Sequence, residues 1–260
     1  MLTYLIKYAK RILTLLLIGF LLTAGSGYAQ EEVRVRFIEP STKIEQTLPA
    51  WAVRSCDVIV RVGEYEGKAG KRVYIDEGIS WSKIPKDIAI HKDNEGHYIS
   101  EFDINKKLAE KLVTELRAKG VNAQIQIAND RAEDLNAAAR ISNKSNPKLY
   151  VSIHHNSYNS DSYGYFAMCN ENDATALAIA QRLSDSVKDN GEVKQMRTRY
   201  NDGYIGELNH IHNSTVGVLL EMGFYSNKEE LSVICSDSYT DYTSQHLAEE
   251  IESILNDYWR

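Results

Sequence analysis

The run Val216-Gly217-Val218-Leu219-Leu220 is apolar at successive positions, without the polar alternation of a half-exposed strand. Such a strand is buried on both faces, and strands of that kind belong to sheets covered by helices on either side. Elsewhere the chain alternates short apolar strands with long amphipathic segments. Val73 to Ile75 reads as a strand. Ile104, Leu108, Leu112 and Leu116, with Ala109 and Val113 beside them, form one apolar helical face, and Gly120 is placed to stop that helix. Val121, Ala123, Ile125 and Ile127 alternate as a strand, and residues 131–142 suit a helix. Leu149 to Ile153 and Gly164 to Met168 read as strands, residues 174–188 as a helix, and residues 245–256 as a last helix. The expected fold class is α/β: one three-layer α/β/α domain with a mostly parallel sheet.

The first residues have a different character. Lys7, Lys10 and Arg11 precede an apolar run from Ile12 to Thr23, and Gly27 and Ala29 are small residues before Gln30. This is the pattern of an export signal cleaved after Ala29. The apolar run is short against the about 20 residues of a membrane span, and an uncleaved anchor is the alternative. The expected organisation is a signal peptide over 1–29, a lead-in over 30–70 with room for extra strands, and the α/β domain over 71–260. The location implied is exported, periplasmic or envelope-associated, with membrane contact only through the export signal.

Hydrophobic residues make up 43 % of the 260 residues and charged residues 25 %, an ordinary globular balance. The net charge is −6, and the leader contributes only basic residues, so the remainder is more acidic still. That charge does not attract nucleic acid non-specifically, and leaves only a local patch as a route to it. Cys56, Cys169 and Cys235 are too far apart in sequence for a compact zinc cluster. One disulfide with a free thiol, or three buried thiols, both remain open.

The polar residues at strand ends carry the chemistry, because ligands in open α/β sheets bind beyond the carboxyl ends of strands. Ser152-Ile153-His154-His155-Asn156-Ser157 ends one strand. Adjacent strand side chains point to opposite faces, so His154 and His155 are not expected to serve one site. Glu221 directly follows the buried Val218-Leu219-Leu220 run. A carboxylate there must be paired, solvated or metal-bound, and it suits a general base. Glu101 precedes the amphipathic helix, where a capping charge is the plainer reading.

These segments together resemble the zinc-dependent N-acetylmuramoyl-L-alanine amidases of bacterial cell walls, from about Arg72 to Leu255. Val73-Tyr74-Ile75-Asp76-Glu77-Gly78 looks like the family's opening strand and turn, and Glu101 through Gly120 like its glutamate-helix-glycine segment. Asp130 through Asn143 resembles an arginine-rich helix. Ser152 to Ser157 and Leu220 to Asn227 match its two most diagnostic motifs. The resemblance implies one zinc ion held by a histidine after the first strand, by Glu101 and by His154, with Glu221 as catalytic base. It implies peptidoglycan as substrate, cut between N-acetylmuramic acid and L-alanine, and leaves room for a regulatory protein partner. Asn156 and Tyr158 are candidates for substrate contact.

On this alignment Ile79 stands where the first histidine ligand belongs, and isoleucine has no donor atom. Three readings follow. Another residue supplies the ligand, with His97 the foremost candidate, His91 next, and His155, Glu77 and Asp76 behind them. Or the chain is an inactive amidase-like protein that binds peptidoglycan or regulates a hydrolase. Or an altered metal site acts on a different amide.

Overall fold

The computed structural model describes residues 32–39, 42–49, 55–66, 71–75, 84–128, 143–170, 172–188, 199–201, 205–212 and 214–260. The chain divides into two units, Met1–Glu31 and Glu32–Arg260. The first unit, with the expected export signal, lies outside the described residues, as does the expected helix over 131–142.

The strands are β1 (Glu32–Glu39), β2 (Thr42–Pro49), β3 (Val58–Tyr65), β4 (Arg72–Tyr74), β5 (His91–Asp93), β6 (Gly96–Ser100), β7 (Ala123–Ala128), β8 (Leu149–Asn156), β9 (Phe166–Asn170), β10 (Arg199–Asn201) and β11 (Val216–Phe224). The helices are α1 (Glu101–Ala118), α2 (Ala174–Ser186), α3 (Gly206–Asn209), α4 (Lys228–Ile234) and α5 (Asp237–Trp259). An eight-stranded sheet runs in the order β10-β9-β11-β8-β3-β7-β1-β2, and a small sheet in the order β4-β6-β5. Strands β11, β8, β3 and β7 are parallel to their neighbours in that run. β9 is antiparallel to β11, and β1 is antiparallel to both β7 and β2. The α/β class with a mostly parallel sheet is as expected.

One strand assignment is corrected. Val73 to Ile75 does not open the large sheet: β4 pairs with β6 in the small sheet. The opening parallel strand is β3, between β8 and β7, whose Val58-Ile59-Val60 run is buried on both faces.

Strand alternation sorts the core. Val58, Val60, Val62, Leu149, Val151, Ile153, Val218 and Leu220 pack on the side of α1, α2 and α5. Ile59, Tyr150 and Leu219 face the other side, in a smaller cluster with Cys56 and Leu208. Arg61, Ser152, His154 and Glu221 share the parity of this second face. All three cysteines are buried and free, with Cys56 and Cys235 each pushed up to about 12 by burial.

α1 begins at a capping box. Ser100 Oγ accepts from Asp103 N at 3.2 Å, and the Asp103 carboxylate accepts from Ser100 N at 3.0 Å. His91 Nε2 lies 2.9 Å from the same carboxylate. The helix buries Ile104, Leu108, Leu112 and Leu116 as the periodicity requires. It ends where Gly120 takes a φ of 79°, a left-handed conformation that glycine adopts without a steric penalty. The capped start fixes Glu101 at the first turn, beside the carboxyl ends of β3 and β8.

Candidate active site

The parallel strands β3, β8 and β11 end side by side. β8 and β11 place His154 directly opposite Glu221 in register. β3 and β8 place Arg61 opposite Ser152. Beyond Arg61, β3 changes register, and Glu64 adopts a φ of 64°. A non-glycine residue in that region is uncommon and costs energy that the surroundings must offset; such residues cluster at functional sites. Gly63 lies against the His154 ring so closely that a Cβ there would sit 2.5 Å from His154 Cε1.

His154 is engaged through both ring nitrogens. Nδ1 lies 3.3 Å from Glu101 Oε1, and Nε2 lies 3.5 Å from Glu207 Oε1 and 3.4 Å from Arg61 Nη1. Burial alone would lower its pKa, but the bonds to Glu101 and Glu207 outweigh burial and hold it up to about 10. Arg61 is fully buried in the middle of β3. It forms an ion pair with Glu207 of α3 and approaches Ser152 Oγ at 3.4 Å. Burial raises Glu207, yet the charges of Arg61 and His154 bring it down to about 2.

Glu101 is 1 % exposed. Its Oε1 meets His154, and it accepts from Asn105 Nδ2 and from the backbone N–H of His155, each at 3.4 Å. Its Oε2 is buried without a hydrogen-bond partner. Lys71 Nζ stands 3.8 Å from that oxygen and 3.6 Å from Glu64 Oε1. The backbone of Lys71 is tied to α1, because Lys71 O accepts from Glu101 N at 3.0 Å, while its side chain is 60 % exposed. Burial works against the Lys71 charge, but Glu101, Glu64 and Glu221 outweigh it and raise the pKa. Glu221 Oε2 is also buried without a hydrogen-bond partner. Burial raises the Glu221 carboxyl to about 7, so near neutrality it exists in both protonation states.

The sequence-derived site residues divide. Glu101, His154 and Glu221 come together. His155 points to the opposite face, as alternation requires. Its Nδ1 lies 2.7 Å from Asn105 Oδ1, and burial drives its pKa down to about 3, so it is a neutral core histidine. His97 stands exposed on β6, opposite Lys92 of β5, and is not brought to Glu101 and His154 as the third donor. His91 is spent on Asp103 and on stacking with Tyr98. Ile79, Asp76 and Glu77 lie outside the described residues. Asn156 ends β8, and its Oδ1 accepts from Ser157 N at 2.7 Å. Tyr158 in the following loop is 78 % exposed.

Sequence reasoning missed Arg61, Glu64, Lys71 and Glu207. An arginine inside Val58-Ile59-Val60-Arg61-Val62, followed by glycine and a carboxylate, was the available signal for β3. Glu207 sits in no motif. With β3 as the opening strand, Glu64, rather than the residue after Gly78, stands at the end of the first parallel strand.

Among the described residues, no group of three His, Cys, Asp or Glu side chains is arranged to hold a metal ion. The local reason is visible. His154 has no free ring nitrogen, and an ammonium stands between Glu64 and Glu101. The side chains as placed therefore do not fit a three-ligand zinc.

Residues 87–253, more than half of the chain, match the family profile of N-acetylmuramoyl-L-alanine amidase. The match begins after β3, so the strand bearing Arg61 and Glu64 lies outside it. No curated protein matches the chain. Among solved structures, the fold is similar to the amidase AmiC2 of Nostoc punctiforme, at 21 % identity over 76 % of this chain and 96 % of that one, with a TM-score of 0.58. It is similar to the CwlD amidase of Clostridioides difficile in complex with the GerS lipoprotein, at 20 % identity over 78 % and 100 %, TM-score 0.58. It is also similar to the catalytic domain of CwlV from Paenibacillus polymyxa, at 19 % identity over 76 % and 97 %, TM-score 0.58. The profile match, the parallel sheet and the convergence of Glu101, His154 and Glu221 lead to one assignment: the chain belongs to the N-acetylmuramoyl-L-alanine amidase family.

Proposed function

We propose that this chain hydrolyses peptidoglycan at the amide bond between the lactyl group of N-acetylmuramic acid and the L-alanine of the stem peptide, with Glu221 as the proton carrier. The observation that carries this reading is the Glu221 carboxyl itself. It stands beside His154 at the open ends of the parallel strands, with a buried oxygen lacking a hydrogen bond and a pKa raised to about 7. Such a group takes a proton from water as its oxygen attacks the amide carbon, then delivers that proton to the departing amine. A pKa near neutrality serves both halves of that exchange. Asn156 is the last residue of β8 and the exposed Tyr158 lies just beyond it, where a glycan or peptide chain would pass; an aromatic face there suits a sugar ring.

Members of this family typically depend on zinc, which when bound acidifies a water and polarises a carbonyl. Because the donor set does not fit a three-ligand zinc, the step above uses only the groups of the chain. The leader pattern supports export to the cell envelope, where the substrate lies. The CwlD neighbour is a complex with a lipoprotein, which supports a protein partner as the regulator here.

The test is digestion of purified sacculi with the chain lacking residues 1–29, followed by identification of the products. Free stem peptides with an L-alanine amino terminus are expected, and Glu221→Gln should release none. Cleavage at a different bond, or binding without release, would overturn the proposal. Sequencing the amino terminus of exported protein should give Gln30.

A further inference from the structure

We infer that the Lys71 ammonium is the resident cation of this site and takes the place of a divalent metal between the Glu64 and Glu101 carboxylates. The inference rests in part on the hydrolytic reading above and deepens it.

Three observations carry it. First, Lys71 Nζ lies 3.6 Å from Glu64 Oε1 and 3.8 Å from Glu101 Oε2, bridging the end of β3 and the start of α1. Glu101 is nearly inaccessible and its Oε2 makes no hydrogen bond, so a cation beside that oxygen adds to the compensation that His154 supplies at Oε1. Second, the backbone of residue 71 is tied to the start of α1, because its carbonyl accepts from the Glu101 backbone N–H, so the 60 % exposed side chain starts within reach of both carboxylates. Third, the remaining donors are committed elsewhere. His154 uses Nδ1 on Glu101 and faces Glu207 and Arg61 with Nε2. Positive and negative groups alternate from Arg61 through Glu207, His154 and Glu101 to Lys71 and Glu64. A divalent ion entering this row would have to displace Lys71 and break the hold of His154 on one carboxylate.

The carboxylate at position 64 fits this arrangement. A zinc ion is satisfied by neutral imidazole, whereas a lysine ammonium needs an anion. In the hydrolytic step, water oxygen bonds to the amide carbon while Glu221 takes the water proton. The carbonyl oxygen becomes an oxyanion facing the Lys71 ammonium. The carbon–nitrogen bond then breaks as Glu221 returns the proton to the amine, leaving a lactyl carboxylic acid and a free amine. A positive charge aimed at the developing oxyanion is the contribution a metal would otherwise make.

The experiment combines metal content with activity on the chain lacking residues 1–29. Zinc is supplied in slight excess, then dialysed away, and measured by elemental analysis. Wild type should retain far less than one zinc per chain. The double variant Glu64→His/Lys71→Ala, which swaps the ion pair for an imidazole, should retain one. Hydrolysis by wild type should persist in strong chelator. Lys71→Met should lower kcat at least 100-fold with KM little changed, and Lys71→Arg should restore part of it. Thermal unfolding of each variant excludes loss of fold as the cause. One tightly held zinc in wild type, or activity abolished by chelator, would overturn the inference and leave the amidase reading standing. Absence of hydrolysis, with the zinc results as expected, would instead overturn the amidase reading and leave Lys71 as the site cation.

Discussion

Gly63 offers the sharpest structural test of how the site is held. A Cβ added there would lie 2.5 Å from Ile153 O, 2.5 Å from His154 Cε1 and 2.6 Å from His154 Cδ2. Contacts below 3.0 Å require something to shift, and one obstacle is the backbone oxygen of the adjacent parallel strand. No rotamer change can move it. To reach ordinary contact at 3.4 Å, β3 and β8 must separate locally by about 1 Å, or His154 must leave its place. Overpacking of this kind costs about 1–3 kcal/mol. For a domain of this size each kcal/mol lowers Tm by roughly 2–4 °C, so Gly63→Ala should lose roughly 2–12 °C. A displacement of about 1 Å between reacting groups costs on the order of 100-fold in rate. The assay is thermal unfolding together with release of stem peptides from sacculi. Gly206→Ala is the matched control, because nothing lies within 4 Å of a Cβ at that position. If Gly63→Ala unfolds and hydrolyses like the control, then β3 does not pack on the His154 ring and the assembly of the site described above is wrong.

Arg61 and Glu207 form a buried ion pair, so Arg61→Met or Glu207→Leu alone should destabilise by about 3–5 kcal/mol, whereas the double variant should recover most of that loss in urea unfolding. Two opposed shifts contribute to the pH dependence of stability. Glu207 is depressed to about 2, so its contribution is full above about 4.5 and is lost as pH falls toward 2. His154 is raised to about 10, so its contribution is full below about 6.5 and is lost as pH rises toward 10. Unfolding measured across this range should therefore show an acid limb that is reduced in Glu207→Gln, with the part due to the buried neutral His155 remaining, and an alkaline limb that is reduced in His154→Asn. For activity, Glu221 must be ionised to accept a proton, so kcat/KM should climb with pH through about 7. A rate that falls across that interval would assign the base elsewhere.

What could be read from the sequence was what repeats with a period. The four-residue spacing of Ile104, Leu108, Leu112 and Leu116, and the unbroken apolar run at Val216, each follow from burying a face, and both elements lie where the pattern put them. The separation of His154 from His155 was legible for the same reason, since strand alternation alone sends them to opposite sides. The last helix was placed over 245–256 but begins at Asp237, because its first turns carry Tyr239, Thr240, Thr243 and Ser244 inward, and buried polar side chains leave no apolar stripe. β3 was read as part of a lead-in. Its apolar run was visible, but the strand order that makes it central is a long-range property: it joins strands distant in sequence on either side. Because β3 was read as lead-in, Glu64 at its end went unread as a site residue, while Ile79 lies outside the described residues.

The same topology explains how one corner of such a site can change while the rest persists. His154, Glu221 and Glu64 ride on the ends of three strands whose spacing is fixed by the backbone ladder, not by whatever cation sits among them. Glu101 is fixed independently by the capping box of α1. None of these anchors requires a metal. The carboxylates do require positive charge once they are buried, and the fold supplies it from three separate places: Arg61 within β3, His154 at the end of β8, and Lys71 ahead of β4. Removing Lys71 should therefore leave the strand ends in place but leave Glu101 with an uncompensated oxygen, so the carboxylate becomes the weak point rather than the sheet. Lys71→Ala should accordingly unfold with wild-type cooperativity and a reduced midpoint, and Glu101→Gln in the same background should recover part of the loss. Recovery is expected because a neutral amide needs no cation; a further loss in the double variant would mean that Glu101 is held by groups other than Lys71.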